Sequence, residues 1–307
     1  MKLYSLYGPP FSYRVSSEPS YPTIEFGKSL TFLNLPSISR QYHYDLFLFI
    51  CSSTPEMFVR DKLRRRFLSL SSKYSLGYIF VLGSNPEFND RISEENRKYH
   101  DILQLGHKDS YHLITLSVFG AIQYLSNYPV KVRYFMKTDS DCVLNVPSII
   151  QYVQKANDSY IGNCKYKANY LTFSRLEERI KKLRRIRIKT ERQELQDLLI
   201  KRAVPDSLVM NDTRINSYAT GAGYLIRSDI LPRLAVSIRH LNFIGHNEDV
   251  NIGKAMTMLG YSCELVDNWV ARKGCNNQTD CLNYFIIHRK SSFVEIGNYW
   301  NYVMSTD

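Results

Sequence analysis

The stretch Arg133-Tyr134-Phe135-Met136-Lys137-Thr138-Asp139-Ser140-Asp141-Cys142-Val143-Leu144-Asn145 decides how the chain is read. Tyr134, Phe135 and Met136 predict a buried strand, and that strand delivers two carboxylates, Asp139 and Asp141, one residue apart at its end. In extended backbone, residues i and i+2 point to the same side, so both carboxylates can face one site. Two like charges that close stay ionised only beside a cation or hydrogen-bond donors. A hard divalent metal that also holds a diphosphate meets that need. A solvated loop can carry the same Asp-x-Asp pattern, so the neighbouring segments decide between the two readings.

The chain around this stretch has 307 residues, enough for one large α/β domain or two small ones with a sizeable core. Its 44% hydrophobic and 22% charged residues are those of an ordinary globular protein. A net charge of +11 favours an anionic partner, whether nucleotide phosphates, a membrane surface or nucleic acid, and does not choose among them. The 23 tyrosines suit a surface that binds polar, flat or sugar-like ligands. No stretch is long and apolar enough to span a bilayer, and residues 1–14 lack the continuous apolar region of a signal peptide. The six cysteines include no Cys-x-x-Cys pair, which argues against a zinc site, while Cys275 and Cys281 bracket a polar loop as a small disulfide would. Asn157, Asn211 and Asn277 begin Asn-x-Ser/Thr sequons, which matter only in the secretory pathway.

Residues 1–40, rich in Ser, Pro and Tyr without a period, read as a stem-like or loosely ordered leader before a domain over 41–307. The apolar run 46–50 predicts a strand buried on both faces. Ser52, Ser53, Thr54 and Pro55 predict the cap and first turn of a helix reaching about Leu70 and carrying Arg60 and Arg64. A second strand is predicted over 78–82, ending at Gly83, and an apolar helix over 112–125. Strand and helix thus alternate from 44 to 150, which predicts a mostly parallel sheet with helices on both faces. Ligands in such sheets sit at the carboxyl ends of strands, where Asp139 and Asp141 fall.

Four later segments carry information. Residues 174–202 hold eleven basic and five acidic side chains at helical spacing, and about 171–205 reads as a basic helical insertion. It is either a solvated helix or an arm for a membrane surface or polyanion. Gly221 and Gly223 precede a strand and allow close approach of a ligand or a second backbone. Glu248 and Asp249 stand together at a predicted helix start, where carboxylates also gain from the helix dipole. His288 ends a strand over 283–288.

Taken in order, these blocks resemble the inverting β1,3-glycosyltransferase family, which includes β1,3-galactosyltransferases, β1,3-N-acetylglucosaminyltransferases and Fringe. The blocks are Arg60-Asp-Lys-Leu-Arg64-Arg-Arg-Phe67, Phe80-Val-Leu-Gly83, Asp109-Ser-Tyr-x-x-x-Thr115, Lys137-Thr-Asp-Ser-Asp-x-x-x-Asn145, Tyr218-x-x-Gly-x-Gly-Tyr-Leu and Glu248-Asp-Val-x-x-Gly253. The resemblance implies a GT-A glycosyltransferase fold: a Rossmann-like, mostly parallel sheet with a smaller second sheet region. It also implies a UDP-sugar donor, a Mn2+ ion, and transfer of a hexose or N-acetylhexosamine with inversion to a sugar hydroxyl, forming a β1,3 linkage. Asp141 would hold the metal, with Asp139 bound to it directly or through water and ribose, and His288 would complete the shell. Arg64 would help bind the nucleotide, and Gly221 and Gly223 would leave room for the donor sugar. Asp249 would be the base, with Glu248 the alternative. Partners would be the UDP-sugar and a glycan acceptor on a glycoprotein or glycolipid, with no nucleic acid. The location would be the Golgi lumen or membrane, reached in relatives through an anchor that this chain does not display.

The sequence departs from the family pattern at Phe67, where relatives have Trp, at Ser117, where they have a Lys near the nucleotide, and at Ala219, where they have Cys. These departures motivate a second reading, a catalytically degenerate relative that binds UDP or glycan.

Overall fold

The computed structural model describes residues 30–39, 42–128, 130–168, 171–183, 189–204, 215–241, 247–271, 275, 277–288 and 298–301. The first half contains β1 (Phe32–Asn34), β2 (His43–Cys51), α1 (Met57–Ser71), β3 (Leu76–Ser84), α2 (Asn89–Tyr99), β4 (Ile102–Lys108), α3 (Ile114–Asn127), β5 (Lys131–Asp139), β6 (Cys142–Leu144) and α4 (Val146–Lys155). There follow β7 (Tyr160–Lys165), β8 (Leu171–Thr172), α5 (Phe173–Leu183), α6 (Lys189–Arg202), β9 (Ala203–Val204) and β10 (Tyr218–Arg227). The last are α7 (Leu231–Ser237), α8 (Glu248–Met258), β11 (Glu264–Leu265), β12 (Val270–Ala271), α9 (Gln278–Leu282) and β13 (Ile286–His288).

Eight strands form one sheet in the order β1-β4-β3-β2-β5-β10-β7-β11, and β12-β13-β6 form a smaller one. Only β1 and β10 run against the others in the large sheet, so the expected mostly parallel α/β fold with a second small sheet is present. The run that predicted a doubly buried strand is β2. Leu46, Leu48 and Ile50 enter the core beneath α1 and α4, while Phe47, Phe49 and Cys51 enter the core beneath α3, α7 and α8. Leu63, Phe67 and Leu70 seat α1 on its core, each burial stabilising by roughly 1.5–3 kcal/mol. Phe67 stacks edge-on against Trp300, with centroids 6.1 Å apart.

Two expectations need correction. The leader does not extend to residue 40, because β1 pairs with β4 as an edge strand of the large sheet; residues 1–29 lie outside the described residues. The helix after β2 does not begin in the Ser52–Pro55 run: it starts at Met57, and Thr54 is held by Asp109, whose Oδ2 accepts from the Thr54 amide at 2.6 Å and its hydroxyl at 2.8 Å. The basic insertion is a pair of helices, α5 and α6, flanked by the short paired strands β8 and β9; residues 184–188 of it, and the sequon at Asn211, lie outside the described residues. Cys275–Cys281 is a disulfide as expected, and Cys164–Cys263 is a second one. Among the described residues no helix is long and apolar enough to cross a membrane.

Candidate active site

The Asp-x-Asp pair sits where two sheets meet. β5 ends at Asp139, in register with Cys51 at the end of β2, and the Ser140 amide donates to the Cys51 carbonyl at 2.9 Å. The chain turns at Ser140 and Asp141 and enters the small sheet as β6. There β6 pairs with β13 and sets Cys142 opposite His288. The pairing brings His288 Nε2 to 3.6 Å from Asp141 Oδ2. One ligand atom each from Asp139, Asp141, Cys142 and His288 lies within 4.8 Å of the others. Asp141 and His288 keep half and about a third of their side chains exposed, so the group opens to solvent on that side. Carboxylates and an imidazole suit a hard or borderline divalent ion. The Cys142 thiol is turned into the core, where it donates to the Ala222 carbonyl at 3.2 Å.

The two aspartates titrate in opposite directions. Burial pushes the Asp139 carboxyl up, with Asp141 adding to the effect and Lys137 only partly offsetting it. Burial acts on Asp141 as well, but His288 and Lys137 outweigh it and hold that carboxyl below its usual range. Asp141 is therefore the readier anion of the pair.

The second group of carboxylates starts α8. Glu248 is buried, its Oε1 2.9 Å from Lys137 Nζ and its Oε2 accepting from the Tyr224 hydroxyl at 2.9 Å. Burial, opposed by Lys137 and reinforced by Asp249 and Asp139, pushes its pKa up to about 7. Asp249 is half-buried. Its Oδ2 accepts from the Gly221 amide at 3.1 Å and its Oδ1 from the Val250 amide at 2.8 Å. Burial raises its pKa too, with backbone donors and Lys137 opposing.

Sequence comparison decides the family. The profile described as "Galactosyltransferase" matches residues 59–265, two thirds of the chain, and takes in both carboxylate groups. The chain belongs to the galactosyltransferase family. It is 26% identical over 184 residues to human Beta-1,3-galactosyltransferase 1, covering 59% of this chain and 50% of that one. It is 25% identical over 236 residues to human Beta-1,3-galactosyltransferase 2, covering 74% of this chain and 50% of that one. The chain thus spans about half the length of the curated relatives it matches. A solved glycosyltransferase involved in the glycosylation of the major capsid of PBCV-1 aligns with a TM-score of 0.40 at 9% identity, covering 84% of this chain and 98% of that one.

Within this galactosyltransferase-family chain, three of the expected donor-binding residues are otherwise engaged. Arg64 does not point its guanidinium at a free site. Nε and Nη2 bond Asp101 at 2.8 and 2.9 Å, Nη1 bonds Asp61 at 2.8 Å, and Nη2 lies 2.7 Å from Glu95. These contacts form a buried ion-pair network joining α1, α2 and the residue before β4. The space beside Gly223 is filled by the protein itself, since a Cβ there would lie 2.5 Å from Ile286 Cδ1 and 3.1 Å from Met136 Cε. At Gly221 a Cβ would lie 2.8 Å from Glu248 Oε1, so the glycine lets that carboxylate approach closely.

Other residues escaped the sequence reading. Glu56 Oε2 accepts from the Ser52 hydroxyl at 3.0 Å, the Ser53 amide at 3.0 Å and the Ser140 hydroxyl at 2.9 Å, tying the β2–α1 turn to the Asp-x-Asp turn. Lys137, read in the sequence only as the start of the Lys-Thr-Asp-Ser-Asp block, lies in the same β-strand alternation as Asp139, to which its Nζ donates at 2.8 Å. At the family's Lys position, Ser117 has its hydroxyl 3.0 Å from His107 Nε2, and burial pushes His107 down to about 4.

Proposed function

We propose that this chain transfers a hexose, galactose foremost, or an N-acetylhexosamine from a UDP-sugar to a sugar hydroxyl with inversion, making a β1,3 linkage. The observation that carries the reading is the pairing of two carboxylate groups. Asp139, Asp141 and His288 converge at the end of β5, and Lys137, which bonds Asp139, also bonds the carbonyl of Gly221, whose amide bonds the Asp249 carboxylate. The first group has the donor set for Mn2+, with Asp141 and His288 reaching solvent and Asp139 beside them. When bound there, the ion would offset charge developing on the departing diphosphate. Asp249, the more exposed of the two α8 carboxylates, takes the proton of the acceptor hydroxyl, and that oxygen attacks the sugar carbon from the face opposite UDP. Glu248 is the lesser candidate base because Lys137 and Tyr224 occupy both its oxygens. The two disulfides support an oxidising compartment such as the Golgi lumen, where glycoprotein or glycolipid acceptors are presented.

The test is release of UDP by the purified chain from a panel of UDP-sugars, with Mn2+ and sugar acceptors. Turnover that disappears with a chelator is the expected result. Asp141→Ala should lose Mn2+-dependent UDP binding in calorimetry. Asp249→Asn should keep that binding while transfer falls by about 100-fold or more. Binding of UDP and Mn2+ by the wild type without turnover of any donor would replace the reading with that of a degenerate, binding-only relative.

A further inference from the structure

The two carboxylate groups are joined through one ammonium. Lys137 is 1% exposed in its side chain, and its Nζ lies 2.8 Å from Asp139 Oδ1, 2.9 Å from Glu248 Oε1 and 2.5 Å from the Gly221 carbonyl. An ammonium has three donors, and here they meet acceptors on three elements, β5, α8 and β10. Gly221 extends the connection across its Cα, because its own amide N–H donates to Asp249 Oδ2 at 3.1 Å. Glu248 is fixed from its other side by the Tyr224 hydroxyl at 2.9 Å. A β-carbon at Gly221 would stand 2.8 Å from Glu248 Oε1, so the glycine keeps the position from which that oxygen meets Lys137.

We propose that Lys137 is a positioning residue that fixes the Asp249 carboxylate of α8 relative to the Asp139 end of β5. The inference rests on the reading of Asp139 as part of the donor site and Asp249 as the base. Transfer needs the acceptor oxygen in reach of Asp249 and of the sugar carbon at the same moment, and a misplacement of about 1 Å between such groups costs about 100-fold in rate. Asp139 and Asp249 lie on separate elements of the fold, and the Lys137–Gly221 connection spans them. Lys137 itself touches neither the acceptor oxygen nor the sugar carbon in this scheme.

Removing Lys137 alone would leave the buried Glu248 without its counter-charge, which is destabilising whatever the role. The test therefore removes the charges together, in Lys137→Met with Glu248→Gln, where the new amide oxygen still accepts from Tyr224. Melting temperature, Mn2+-dependent UDP binding and transfer kinetics are measured beside the wild type. The expected pattern is a folded protein whose UDP Kd stays within about threefold. Its kcat should fall about 100-fold, with little change in the acceptor KM. Wild-type kcat in the folded double variant would overturn the proposal, and so would UDP binding weakened in step with kcat, which would confine Lys137 to the donor end. Gly221→Ala offers the second route should the double variant not fold. It displaces Glu248 without altering charge, and the same loss of kcat at retained UDP binding is expected; full kcat there would overturn the proposal. A wild type that releases no UDP from any donor would instead overturn the transferase reading itself.

Discussion

Glu248 and Asp249 are adjacent in sequence and differ in surroundings. Glu248 points into the protein, between an ammonium and a phenol, while Asp249 keeps part of its surface and is held by backbone amides. Neighbours at a helix start point about 100° apart, and which of them faces the core depends on what packs against the helix, so the sequence left both open as base. His107 presents a different case. Its imidazole is held neutral by burial, with a pKa of about 4 against an ordinary 6.5. A depressed His contributes stability that is whole above pH 6.5 and is lost as pH falls towards 4. That window corresponds to at most about 3 kcal/mol. Chemical denaturation of wild type and His107→Gln across pH 4 to 8 should show a steeper acid loss in the wild type. Parallel slopes would mean that His107 is not held neutral. The spelling His-x9-Ser, from His107 to Ser117, carries no local signal for this pair, because β4 and α3 bring it together only after folding.

At the scale of elements, the legible parts were those whose period is local. The apolar run of β2, the Asp-x-Asp end of β5 and the Glu-Asp start of α8 could be placed because strand alternation and helix capping need only near neighbours. The role of Arg64 was not legible, because its partners Glu95 and Asp101 come from α2 and the loop before β4. Arg60 joins the same network, with Nη2 2.7 Å from Glu95 Oε2. These guanidiniums fasten α1 to the next strand-helix unit through buried charges, so removing one strands its carboxylates. Arg64→Met should lower unfolding free energy by about 3 kcal/mol or more in denaturant titrations. It should leave the UDP affinity of the folded protein unchanged in calorimetry. A tenfold weaker affinity at undiminished stability would return Arg64 to the nucleotide site.

At the scale of the whole molecule, the apolar residues among those described gather into two large cores on either side of the sheet, while the α5–α6 pair has a small cluster of its own. Leu176 and Ala203 are buried there, with Leu171, Ile180 and Leu199 packed against them. The register Leu171↔Ala203 sets the entry and exit of this segment side by side, at the roughly 5 Å spacing of paired strands. A unit that closes on itself at its base can be removed with little strain on what remains. Replacing residues 171–204 by a short glycine linker should shift the melting temperature by no more than about 3 °C. The same deletion removes a charge excess of six out of the chain's +11. If the basic surface serves donor binding through long-range attraction, the truncated protein will bind UDP with a smaller salt dependence as well as a weaker Kd. If its charges are merely solvated, as the exposed Lys182–Glu178 pair along α5 indicates, Kd and its salt dependence will match those of the full chain. The second outcome is the expected one, because the carboxylates and His288 that define the proposed site belong to β5 and the turn after it, α8 and β13, none of which, among the described residues, contributes to the α5–α6 cluster. A collapse of the melting temperature on deletion would instead make the α5–α6 pair part of the catalytic domain's own stability.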